Sequence, residues 1–261
     1  FRRVLFRSMK IVKPSKLIPL ISILTVIALA GCQPKKEQSA ANAEKVDIPL
    51  IQAKVVAVKL PKQKLCLEDG CTSYDLQTVE TNQKWIDEYF LNRMKKAEPN
   101  AFANIADQKV KLPADEPSLS ESSTYVRFVG QNYNLATFAI QTYSYPAGAA
   151  HGMSHQEFVN FDLSNKKHIT VSELVKPDMN QKLRDELYVS NQNWLEDHNI
   201  KKEQLQVSDN YYYGVNGIVF VYPLYELASY AEGMSELTLP YYAAKQFIKP
   251  QYLPSLPKEP V

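Results

Sequence analysis

The fourteen residues from Leu17 to Ala30 carry no charge and end at Gly31-Cys32. This run decides how much of the chain is left to build a fold. A helix that crosses the roughly 30 Å hydrocarbon core needs about 20 apolar residues. The run is short for that, and Pro19 lies near its start. It has the length of a signal-peptide core. Ahead of it, Met9 to Lys16 holds Lys10, Lys13 and Lys16 and no acidic residue. A basic stretch, an apolar run and small residues, in that order, describe a secretory signal. Met9 reads as the initiator and Phe1 to Ser8 as non-native residues upstream of it. Removing residues 1–31 leaves 230 of the 261 residues, enough for one large domain or two small ones.

The end of the run is more specific. Leu29-Ala30-Gly31-Cys32 resembles the lipobox of bacterial lipoproteins. The resemblance implies that Cys32 is lipidated and becomes the mature N-terminus. Each buried CH₂ of an acyl chain adds about 0.8 kcal/mol, so several chains hold a protein on a bilayer without a spanning helix. Membrane attachment through this lipid anchor is therefore expected. Gln33, rather than aspartate, follows the cysteine. In a Gram-negative cell that implies the periplasmic face of the outer membrane.

The formal net charge is +2, with much of the lysine in the signal and tether. The folded part is close to neutral, which gives no electrostatic footprint for nucleic acid. No G-x-S-x-G and no glycine-rich phosphate loop occurs, so no catalytic residue and no cofactor is expected. With Cys32 lipidated, Cys66 and Cys71 remain. They flank Leu67-Glu68-Asp69-Gly70, where Asp-Gly marks a tight turn between β-prone segments. A hairpin with a cross-strand disulfide follows if the compartment is oxidising. A redox-active pair is the alternative, but the spacing is not C-x-x-C.

The rest of the chain divides by pattern. Residues 32–46 read as the lipidated N-terminus and a polar tether. Ile48 to Leu60 is strand-like, and Val79 to Lys96 shows helical spacing through Trp85, Ile86, Tyr89, Phe90 and Met94. Tyr125 to Val129, Leu135 to Tyr145 and Glu157 to Leu163 read as an antiparallel meander. In the last of these Val159, Phe161 and Leu163 share a face and Asn160 and Asp162 take the other. A helix is predicted from Pro177 to Asp197 and another from Tyr241 to Ile248, with strands at Ile218 to Tyr222 and Leu237 to Leu239. The predicted class is α+β, an antiparallel sheet with helices packed on one face.

The second half resembles a known family. The residues that carry the likeness are Asn160-Phe161-Asp162-Leu163, Lys167 to Leu174, Gly217-Ile218-Val219-Phe220, Tyr222 to Gly233 and Leu239-Pro240-Tyr241. They are similar to the RsiV-like extracytoplasmic domain family, found in the RsiV anti-sigma factor and in the N-terminal part of the PdaC peptidoglycan deacetylase. The resemblance implies an α+β fold and work outside the cytoplasm at the cell wall. It divides the chain into a companion subdomain at 47–158 and an RsiV-like subdomain at 159–249, and the proline content of 250–261 predicts a loose tail. In the anti-sigma factor the domain binds lysozyme, so a lysozyme-like protein or peptidoglycan is the implied partner. The sigma-binding segment and the deacetylase domain are not carried over.

Two groups of residues bear on function. His151 and His155 have H-x-x-x-H spacing with Glu157 nearby. On a helix that spacing puts both imidazoles on one face, as zinc sites use. Gly148, Gly152 and the strand pattern after them oppose a helix, and Gly152 stands where H-E-x-x-H has glutamate, so no metal is expected. A metal-assisted envelope hydrolase built on this region is the alternative function. The second group is the sixteen tyrosines, which suit either core packing or a surface that stacks on sugars and proteins. Tyr222, Tyr225 and Tyr230, with His151 and His155, form the candidate binding surface. His168 and His198 read as surface residues.

Overall fold

The computed structural model describes residues 48–113 and 115–254. The signal run, Cys32 and the tether lie outside the described residues, as do residues 255–261. Among the described residues no helix is long and apolar enough to cross a membrane.

The cysteine hairpin opens the sheet. Strand β1 spans Ala53–Ala57, β2 Lys64–Leu67 and β3 Gly70–Thr81. Cys66 and Cys71 are register partners on β2 and β3, and a disulfide joins them. Gly70 has φ +135°, and a Cβ there would come within 2.9 Å of the Ser118 carbonyl oxygen. Only glycine fits that close approach. Closing so small a loop constrains the unfolded chain by about 2 kcal/mol in the chain-entropy account.

Helix α1, Lys84–Ala97, follows directly. The Asp87 carboxylate accepts from the Thr81 N–H at 2.8 Å and the Thr81 hydroxyl at 2.7 Å, which fixes the strand-to-helix corner. Ile86, Phe90 and Met94, one turn apart, are its buried stripe. A short helix α2, Pro99–Phe102, and a polar connection lead into β4, Leu119–Asn132. Here the expectation of an antiparallel sheet is wrong. Strand β4 pairs with β3 in parallel, Cys71–Gln77 beside Leu119–Tyr125. The cause is the connection: the chain crosses over through α1 and α2 before it returns, and a crossover of that kind delivers a parallel strand. The fold is mixed α+β.

Strands β5, Leu135–Tyr145, and β6, Met153–Asp162, continue antiparallel, and β7, Lys167–His168, closes the order β1-β3-β4-β5-β6-β7 with β2 also on β3. One face of β5 and β6 presents Phe138, Ile140, Val159 and Phe161 to the α1 stripe. The rings meet edge to face or tilted, with Trp85 and Tyr89 each 5.1 Å from Phe161 and Phe90 5.2 Å from Phe138. The opposite face carries Thr137, Asn160 and Asp162, all buried. The Asn160 amide accepts from the Thr137 hydroxyl at 2.7 Å and donates to the Tyr211 carbonyl at 2.7 Å. The Asp162 carboxylate collects the Ser164 and Asn165 N–H groups and the amides of Asn134 and Asn165.

That second face is covered by the C-terminal elements. They are α3 (Val171–Leu174), α4 (Asn180–Ser190), α5 (Gln192–Asp197), β8 (Tyr211–Tyr213), β9 (Gly217–Tyr222), β10 (Ser235–Pro240) and α6 (Tyr241–Phe247). Strands β10, β9 and β8 form a small antiparallel sheet. Its core joins Leu135 of β5 to Leu183, Leu187, Leu195, Tyr211, Phe220 and Phe247, among others. The boundary expected between residues 158 and 159 thus falls inside β6, and the two cores share β5 and β6 as a common wall. The helix predicted over 177–197 breaks at Asn191. The side-chain amide of Asn191 leaves the helical path to accept from the Thr238 N–H and donate to the Thr238 carbonyl, both at 3.0 Å. It occupies the outer edge of β10 at Thr238. The tail expected to be loose from residue 250 packs as far as Tyr252, which is buried in the same core.

Candidate functional site

The C-terminal elements cover only part of the second face. Beyond Thr137 and Asn160 the same face continues through Gln141 and Tyr143 on β5 and their register partners Gln156 and Ser154 on β6. These four floor an open groove of about 490 Å³. Its far wall is Val221 at the end of β9, Leu224, and Gly233, Met234 and Glu236 leading into β10. The Phe158 and Tyr212 rings, 4.4 Å apart, hold the two sheets together beside the groove. The Tyr212 hydroxyl donates to Glu236 at 3.1 Å, and the Gln156 N–H meets the Met234 sulfur at 3.2 Å.

Between Leu224 and Gly233, which line the groove, the chain carries Tyr225 and Tyr230, whose rings stack, and His151 packs tilted against Tyr230. His151 lies 4.9 Å from Tyr230, and Tyr230 lies 5.5 Å from Tyr225 with the rings inclined by 29°. Tyr225 is 57 % exposed and Tyr230 39 %. The stack is tied to the floor through Gly152. The Tyr230 hydroxyl approaches the Gly152 carbonyl at 3.4 Å, and a Cβ on Gly152 would collide with the Tyr143 ring. Tyr225 holds φ +70°, a backbone region that costs a non-glycine residue of order 1–3 kcal/mol.

The turn that carries Tyr230 is pinned from behind. Ser229 and Glu232 form a reciprocal cap around Tyr230–Glu232. Glu232 also pairs with His198 at 2.7 Å. The His198 ring stacks on Trp194 at 3.9 Å, and its Nδ1 faces the Trp194 carbonyl at 2.7 Å. A carbonyl and a carboxylate can only accept, so both ring nitrogens are satisfied only when both carry protons. The Glu232 carboxylate accordingly holds the His198 imidazole above its usual pKa, and His198 pulls Glu232 below the usual carboxylate value. His168, by contrast, is half-buried beside Tyr89, and desolvation lowers its pKa.

The sequence-predicted residues separate in space. His151, Tyr225 and Tyr230 come together in the stack. Tyr222 does not join them: it is fully buried, with its hydroxyl donating to the Gln206 carbonyl at 2.7 Å. Strand β9 is covered on both faces, so alternation turns no side chain of it outward. His155 sits on β6 opposite Thr142, and His151 precedes that strand. Four residues of extended chain span about 13 Å, so the H-x-x-x-H spacing does not place both imidazoles on one ion. Among the described residues no three acidic, histidine or cysteine side chains gather in a way that would hold a metal. The sequence does not show that Gln141, Tyr143 and Gln156 floor a groove or that His198 meets Glu232, because these arrangements arise from pairings far apart in sequence.

Residues 161–242 match the family model of DUF3298, described as a protein of unknown function. The matched segment contains α3 to α5, β8 to β10, Tyr225, Tyr230 and the His198–Glu232 pair, and most of the groove floor precedes it. Two solved structures share the fold. One is a DUF3298 family protein from Pseudomonas aeruginosa PAO1, with 15% identity and a TM-score of 0.60, covering 80% of this chain and 99% of that one. The other is a DUF3298 family member from Bacteroides fragilis NCTC 9343, with 16% identity and a TM-score of 0.55, covering 78% of this chain and 96% of that one. No curated protein matches the sequence.

Proposed function

We propose that this protein is a non-catalytic binding module of the cell envelope. It is held to the periplasmic face of the outer membrane by lipid on Cys32 and takes peptidoglycan or a lysozyme-like protein as its partner. The observation that carries the reading is the groove: a stretch of sheet face left uncovered by the C-terminal elements, walled by a second sheet and neighboured by the exposed Tyr225–Tyr230 pair, with Tyr225 at positive φ. A protein that only needed to be stable would not leave such a ring pair in solvent at a backbone cost. The lipobox-like Leu29 to Cys32 supports the location. The likeness of residues 160–241 to the RsiV-like family supports the partner class, with the DUF3298 match covering the same segment.

Co-sedimentation of the protein with purified peptidoglycan, and gel filtration with lysozyme, test the reading. One of the two should carry the protein with it, and no soluble sugar or peptide should be released from the peptidoglycan. Release of fragments that stops on chelation and in His151→Ala would replace the binding module with the metal-assisted hydrolase. Fractionation tests the anchor, since Cys32→Ala should move the protein from the membrane to the soluble fraction.

A further inference from the structure

We infer that the groove is a carbohydrate subsite, which takes a neutral chain of pyranose units with one ring laid against the Tyr225 face. The inference rests on the binding-module reading and names its ligand chemistry. Three observations carry it.

The first is the chemistry of the floor. Along the groove the backbone of β5 is used by its ladders with β4 and β6, and on the outer edge of β6 the Gln156 N–H meets the Met234 sulfur while the Asn210 amide bonds the Gln156 carbonyl and the Phe158 N–H. The floor therefore offers side chains: the amides of Gln141 and Gln156, which bond each other at 3.0 Å, and the hydroxyls of Tyr143 and Ser154. Amides and hydroxyls both donate and accept, which matches the hydroxyl-covered edge of a sugar. A peptide recognised by strand addition needs a free strand edge, and the edge beside the groove, that of β6, is already engaged at Gln156 and Phe158 by Met234 and Asn210.

The second is charge. Among the described residues no lysine or arginine lines the groove, and its one carboxylate, Glu236, is already engaged by Tyr212. A phosphate-rich or carboxylate-rich ligand would find no guanidinium or ammonium there, His155 being the one imidazole in the lining. An uncharged ligand loses nothing by that.

The third is the stack. Tyr230 contacts both His151 and Tyr225, and Tyr225 stays more than half exposed. Tyr225 holds a positive φ at this exposed position. An apolar face with polar groups at its edge is what the alternating CH and OH surfaces of a pyranose require.

The experiment is calorimetric titration of the detergent-solubilised chain with a tetramer of β-1,4-linked N-acetylglucosamine. An acidic oligogalacturonate of the same length serves as the charged comparison. The neutral tetramer should bind saturably and the acidic one more weakly. Tyr225→Asn, which keeps a residue tolerant of the left-handed backbone while removing the ring, should weaken binding about two- to tenfold. Tyr242→Ala, at an exposed tyrosine far along the chain on α6, should leave it unchanged. Saturation-transfer signals from the sugar CH groups on the unmutated protein give a second readout that does not depend on how any variant folds. Absence of saturable binding, equal or tighter binding of the acidic oligomer, or full affinity in Tyr225→Asn would overturn the carbohydrate assignment. If lysozyme binds and no oligosaccharide does, that assignment falls and the binding-module reading stands. If neither binds and peptidoglycan is not retained, both fall.

Discussion

The two faces of β5 and β6 are made from the same strands and do different work. Toward α1 the face is apolar along the length the helix covers, with Phe138, Ile140, Val159 and Phe161 sealed under Ile86, Phe90 and Met94. Away from α1 the face changes character part-way. Thr137 and Asn160 are buried beneath β8 and satisfied by hydrogen bonds, whereas Gln141, Tyr143, Ser154 and Gln156 face an open groove. The lesson is that cover stops where the C-terminal sheet turns away through residues 223–234. The first face stabilises the fold, the near half of the second joins the two cores, and the far half is available to a ligand.

Mutations should reproduce that division. Phe161→Ala removes a fully buried ring from the aromatic cluster and should cost about 3–5 kcal/mol in denaturant unfolding. Gln156→Ala on the groove floor should stay within about 0.5 kcal/mol. Comparable losses at the two positions would mean that the groove is a packed part of the fold. Asn160→Ala should fall between them. It strands the buried Tyr211 carbonyl and Thr137 hydroxyl without their partner, at about 1–3 kcal/mol. A neutral result there would show that the near half of the face does not join the cores.

A smaller effect belongs to the turn behind the aromatic stack. Protonated His198 is held by Glu232 with a pKa above its ordinary value. A folded-state pKa raised above the unfolded one contributes stability that is fully present below the unfolded pKa, about 6.5. It is lost as pH rises through the folded value. Melting temperature should therefore decline modestly as pH is raised through that window, and His198→Gln should flatten the decline. The Glu232 shift is downward, so its contribution is present above the ordinary carboxylate pKa and is lost on acidification. A pH profile identical in His198→Gln and the unmutated protein would remove the latch.

How much of this could be read from the sequence depended on how local each cause was. The α1 stripe, the Cys66–Cys71 hairpin and the strands β5, β6 and β9 follow from spacing within a few residues. The parallel pairing of β3 with β4 does not, because it is set by where a crossover lands. The break at Asn191 answers to Thr238, 47 positions away. Alternation separates inside from outside only where one face of a strand is solvated. It therefore gave no warning that Tyr222, on a strand covered twice, would be buried while Tyr225, just beyond that strand, would be exposed. The stack itself joins His151 to Tyr230, and its tie to the floor spans 78 positions. Pattern alone marked these residues as candidates without showing which of them meet.

The central claim is that the far half of the second face is where this protein meets its ligand. Amide hydrogen exchange of the detergent-solubilised chain, with and without soluble peptidoglycan fragments and separately with lysozyme, tests it directly. The account predicts that at least one of them slows exchange in residues 141–156 and 223–236 and leaves α1 unchanged. Slowed exchange confined to α1 or β1, or no change with either ligand, would contradict it.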